Sequence, residues 1–92
     1  MRVLGAAARA ALVRLADCGG RVEGTGAWPE ICEISGFRCP DSLVGRWVAE
    51  VRVDLPDGGM DLAYVLLPRG RAVVDAERLR RIHTAGEAGS DG

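Results

Sequence analysis

The residues of this chain that could do chemistry are three cysteines, one histidine, a run of aspartates and an all-arginine basic complement. Cys18, Cys32 and Cys39 are odd in number and form no closely spaced pair. They read as reduced thiols of a cytosolic protein rather than a disulfide framework. Their spacing relative to His83 is not that of a zinc site, so no metal is expected. Asp54, Asp57 and Asp61 flank a turn and read as a solvated acidic tip rather than a cation site. With one histidine, no Ser/His/Asp set in a plausible order, and Gly58-Gly59 in a turn rather than ahead of a helix, neither a catalytic centre nor a cofactor is expected. No small-molecule ligand is evident either.

All 12 basic residues are arginine, whose planar fork grips bases and phosphates at two points at once. The formal net charge of -1 is nonetheless not that of a strongly electrostatic nucleic-acid binder. Between Arg38 and Arg71, arginines 38, 46, 52, 69 and 71 are balanced by Asp41, Glu50, Asp54, Asp57 and Asp61. Arg9 and Arg14 interrupt the alanine-rich N-terminal run, unlike a signal-peptide core, and nothing is apolar enough to span a bilayer. A cytoplasmic protein without membrane contact is expected.

The elements that must position these residues follow from periodicity. A chain of 92 residues makes one domain with a small core, here aliphatic around Trp28, Phe37, Trp47 and Tyr64. Residues 2–18 place Leu4, Ala8, Ala11, Leu12 and Leu15 on one helix face, and Gly19-Gly20 ends the helix. Ala6, Ala10 and Val13 form a second stripe, small enough for close contact with another subunit. Residues 21–26 allow a brief extended piece. A second helix starts near Gly26 to Trp28, turns Ile31 and Ile34 inward, and stops at Gly36. A third begins at Pro40 and runs to about Glu50. It carries Leu43, Val44, Trp47, Val48 and Val51 on one arc and Ser42, Gly45, Arg46 and Ala49 on the other. Trp47, Ala49, Val51, Val53 and Leu55 also alternate with period two, and helix to Glu50 with strand from Val51 satisfies both patterns.

Pro56-Asp57-Gly58-Gly59 is turn chemistry between two β-prone runs. Taken as the loop, those residues pair Leu55 with Met60, Val53 with Leu62 and Val51 with Tyr64, and set Asp54 opposite Asp61. Pro68 ends the second strand. Residues 70–83 form a last helix with an apolar stripe of Ala72, Ala76, Leu79 and His83, flanked by Val73 and Ile82. His83 reads as a packing or capping residue. Residues 84–92 lack any large apolar side chain and are expected to be disordered.

Two helices meeting at a tight turn beside a hairpin leave one helix face open to a major groove. Small side chains at Ser42 and Gly45 permit close approach while Arg46 reaches a base edge or phosphate. Arg38 and Ser42 would anchor the backbone and Arg52 a flanking phosphate. The expectation is a small sequence-specific transcriptional regulator that binds double-stranded DNA through Arg38, Ser42, Gly45, Arg46 and Arg52. A homodimer joined by helices 2–18 and 70–83 would set half-sites ~34 Å apart. The alternative is a winged-helix protein-interaction module without DNA affinity, which the charge balance and acidic hairpin tip favour.

The passage YVLLPRGRAVV (Tyr64 to Val74) resembles the tyrosine–leucine–Thr-Pro–Gly-Arg passage closing the wing in MarR-like bacterial regulators, with Leu67 where threonine usually stands. ICEISGFRCPDSLVGRWV resembles their helix-turn-helix core, with Gly36-Phe37 as the turn. The resemblance covers about residues 2–83. It implies an α+β winged helix-turn-helix domain over 1–83, with a three-helix core, a two-stranded hairpin wing and a C-terminal helix, and a tail at 84–92. The chain departs from that pattern in its acidic wing tip and in the short segment between third helix and hairpin.

Overall fold

The computed structural model describes residues 4–37 and 40–91, the side chains of 40, 41 and 83–91 excepted. In chain order the elements are α1 (Ala6–Asp17), β1 (Arg21–Glu23), α2 (Ala27–Ile34), one 3-10 turn (Pro40–Leu43), β2 (Val48–Asp54), β3 (Met60–Leu66) and α3 (Pro68–Asp91). The strands form an antiparallel sheet in the order β1-β3-β2. Among the described residues this is an α+β domain of three α-helices and three strands.

Glycines stop the first two helices as their positions suggest. Gly19 and Gly36 take φ of 93° and 76°, the left-handed geometry that lets orphan carbonyls be capped from beyond the helix end. Gly20 N–H donates to Leu15 O at 3.0 Å, and Phe37 N–H donates to Cys32 O at 2.8 Å. The freed chain then turns into β1 and toward the 3-10 turn.

Helix α1 is the hub of the core. Leu12 and Leu15 are fully buried, and Ala8, Ala11, Val13 and Ala16 are buried with them. Each leucine so placed contributes about 1.5–3 kcal/mol. Val13, expected on the stripe open to a second subunit, is taken into this core. Around α1 lie Trp28 and Cys32 of α2, Leu43, Val48, Tyr64, Leu66 and Val74. The Trp28 and Tyr64 rings stack with centroids 6.0 Å apart, an aromatic pair that ties α2 to the sheet. Trp47 and Phe37 are only half-buried, at the core margin. The inward face of α2 is Trp28, Ile31 and Cys32, whereas Ile34, expected inside, is 56% exposed.

The expected helix over 40–50 does not form. It is reduced to the 3-10 turn, and β2 starts at Val48, three residues earlier than anticipated. Gly45 adopts φ 101°, which a right-handed helix cannot pass through. Its N–H donates to Val48 O at 2.6 Å, steering the chain directly into the strand. Val48, Val51 and Val53 then prefer a pleated surface to a helix, and β3 supplies a full ladder for them.

The hairpin forms one residue out of the expected register. Asp54 pairs with Met60, Val53 with Asp61, Arg52 with Leu62 and Glu50 with Tyr64. The cause is the loop. Gly58 N–H donates to Leu55 O, Leu55 N–H donates to Gly59 O, and Gly58 is left-handed at φ 88°. This is a type I turn followed by a bulge, which inserts one residue and shifts every partner. The Asp54–Asp61 opposition is thereby removed, and Asp54 instead lies 3.6 Å from Arg52.

Pro68 opens α3 at the first helical position, two residues before the expected start. The helix runs to Asp91, through the stretch expected to be without structure. Its inward face is Gly70, Val74 and Glu77. The stripe Ala72, Ala76 and Leu79 lies on the open side, with Leu79 60% and Ile82 67% exposed. The His83 side chain lies outside the described residues. No described helix is long and apolar enough to cross a membrane.

Candidate functional site

The junction of β3 and α3 positions the most chemically pointed surface of the molecule. Leu67 N–H donates to Trp47 O at 2.9 Å. Gly70, one turn into α3, packs directly against that carbonyl, where a Cβ would overlap it. These contacts hold the 45–47 turn against the first turn of α3. Arg46 and Trp47 therefore stand beside Arg69, Ala72, Val73 and Ala76.

Between them lies a groove of about 780 Å³. Leu4 and Arg9 close one side, Arg46 and Trp47 another, and α3 the third, adding Glu77 and Arg80. The Arg69 guanidinium sits over the Trp47 ring, 6.0 Å from its centroid, at the outer limit for attraction to the ring face.

The groove lining mixes apolar side chains (Leu4, Trp47, Ala72, Val73 and Ala76) with four arginines and Glu77. Glu77 is 8% exposed and gathers three arginines. Arg9 Nε lies 3.2 Å from Oε2, Arg80 Nη2 donates to Oε1 at 2.8 Å, and Arg81 Nε lies 3.8 Å from Oε1. The Arg9 contact is an ion pair without hydrogen-bond alignment, and Arg9 Nη1 donates to Leu4 O. Among the described residues, Arg46 and Arg69 have no carboxylate partner. Among the described lining residues, four arginines stand against one carboxylate, three positive charges in excess. Such a surface can bind an apolar group that carries acid.

Of the four described residues among the five expected to contact DNA, Ser42, Gly45 and Arg46 share the segment before β2 and Arg52 lies within β2. Ser42 is exposed in the 3-10 turn, Gly45 holds the left-handed turn position, and Arg46 is exposed at the groove rim. Arg52 lies beyond the turn, four residues into β2 from Val48, and is paired with Asp54. Arg38 lies outside the described residues. Sequence reasoning did not find the groove, because Arg9, Trp47, Arg69 and Glu77 come from three separated segments. The one local signal was Glu77 with Arg80 and Arg81 at helical spacings of three and four.

Cys18 is exposed, Cys32 is buried, and neither forms a disulfide among the described residues. Cys39 lies outside them. No three His, Cys, Asp or Glu of the described residues come together as a metal site. Comparison with known protein families, with curated proteins and with solved structures finds no match for this chain.

Proposed function

We propose that this domain is a protein-interaction module that self-associates through the open face of α3 and the groove beside it. The observation carrying this reading is the uncovered stripe of Ala72, Ala76 and Leu79 with Ile82, the last two 60% and 67% exposed. Apolar side chains ranged along one helix face and continuous with an apolar groove are the usual mark of a buried interface. The absence of an outward helix over 40–50 and the acidic hairpin tip point the same way.

Sedimentation equilibrium tests it. The wild-type chain is expected to be a dimer at micromolar concentration. Leu79→Asp with Ile82→Asp should give a folded monomer, since neither side chain belongs to the core. A wild-type chain that sediments as a monomer throughout would rule the reading out.

A second reading, a DNA-binding transcriptional regulator, is favoured by one feature, the layout. Helix, strand, helix, short turn and hairpin with strand order β1-β3-β2 supports a winged-helix type of domain. Its DNA contact would then be made by the 42–46 segment with Arg46, without a recognition helix. Anisotropy titration of random duplexes over a salt series separates the two. Contact with four to six phosphates gives a log–log slope of roughly -4 to -5, and the interaction module gives no binding at low salt.

A further inference from the structure

The chain exposes two apolar patches of opposite charge, one at each end of the β2–β3 hairpin. The groove at the start of β2 is lined by Trp47, Arg46 and Arg69; among the described residues neither arginine has a carboxylate partner, and Arg69 lies over the Trp47 ring. The tip at the far end presents Leu55 and Met60, 39% and 51% exposed. Asp54 and Asp57 are exposed beside them and Asp61 is half-buried, with Arg52 lying 3.6 Å from Asp54. The tip is also braced by its own hydrogen bonds. Its bulged turn is closed by two backbone bonds, and Asp57 Oδ1 accepts the Gly59 N–H at 2.9 Å, so little order is lost on docking.

We infer that the groove of one copy receives the β2–β3 tip of a second copy, an inference that rests on the self-association reading above. The seven residues of β2 separate the two patches by about 20 Å, so a tip cannot reach the groove of its own chain. In the pair, Leu55 and Met60 cover the exposed part of Trp47 and the Ala72–Ala76 wall. Asp54 and Asp57 meet Arg46 and Arg69, the two groove arginines that Glu77 does not hold. A pair closed on a two-fold axis makes this contact twice. Opposite charge on the two surfaces orients the encounter and makes it weaken with added salt.

A charge exchange tests the pairing. One variant carries Arg46→Glu with Arg69→Glu, and another carries Asp54→Arg with Asp57→Arg. All four side chains are exposed, and circular dichroism with thermal melting checks that both variants fold. Each alone should dissociate at least about tenfold more readily than wild type in sedimentation. Mixed one to one they should recover the dimer, because each then offers the other a complementary tip and groove. Variants that dimerise like wild type while Leu79→Asp with Ile82→Asp is monomeric would overturn this pairing and leave self-association through α3 standing. A wild-type monomer would overturn both and leave the groove to a different acidic occupant.

Discussion

Gly70 of α3 lies so close to the Trp47 carbonyl that a Cβ on Gly70 would overlap the oxygen and stand 2.7 Å from Leu66 Cδ1. That approach holds the first turn of α3 against the 45–47 turn, beside the groove. The obstacle is backbone, which cannot rotate aside as a side-chain end can. Gly70→Ala should therefore destabilise the fold by about 1–3 kcal/mol, the usual cost of forced overpacking, despite alanine's better helix propensity. Urea unfolding measures this, and a stability equal to or above wild type would mean that the contact is not made.

Glu77 supports a second prediction. Its buried carboxylate is the common partner of Arg9, Arg80 and Arg81, and Arg9 is mostly shielded from water. Glu77→Gln keeps the shape but leaves Arg9 without its counter-charge. A loss of about 1–3 kcal/mol is expected, as for a buried group deprived of its partner. Glu23→Gln makes the control, because its pair with Arg21 is solvent-exposed and should be worth under about 1 kcal/mol. Equal effects in urea unfolding would show that Glu77 is as solvated as Glu23.

Trp28 supports a third. It is 1% exposed and stacked on Tyr64, linking α2 to the central strand across the core. Trp28→Ala should cost about 3–5 kcal/mol, a large part of the stability of so small a domain. Trp47, half-buried at the groove, should lose far less on the same substitution. Comparable losses would place Trp47 in the core.

What the residues disclosed in advance was what depends on neighbours in the chain. The apolar face of α1, the glycine stops at Gly19 and Gly36 and the turn at Pro56 to Gly59 all follow from local geometry and were legible. The hairpin register was not, because one left-handed glycine at Gly58 converts a four-residue loop into a bulged one and shifts each pair. The segment 40–50 satisfied helix and strand periodicities together. The choice between them rested on a ladder from β3, which no local pattern announces. The groove was hidden for the same reason, since Arg9 meets Glu77, and Trp47 meets Arg69, only after the chain has folded. For α3 the apolar stripe was legible, but the inward face is set by Gly70 and Val74. The stripe consequently lies open.

The segment 40–50 also provides the sharpest test of the fold, through Gly45. With φ at 101°, any side chain there is strained by about 1–2 kcal/mol, even though open space surrounds the position. Gly45→Ala should therefore destabilise by about that amount and leave the far-UV helical signal unchanged. A helix running from Pro40 to Glu50 would respond in the opposite sense. Alanine is better than glycine by about 1 kcal/mol in a helix interior, so the substitution would stabilise the protein. The two arrangements thus differ in the sign of the effect, and thermal unfolding monitored by circular dichroism reads that sign directly. A rise in melting temperature would restore the helix, and with it a face carrying Ser42, Arg46 and Ala49 toward DNA.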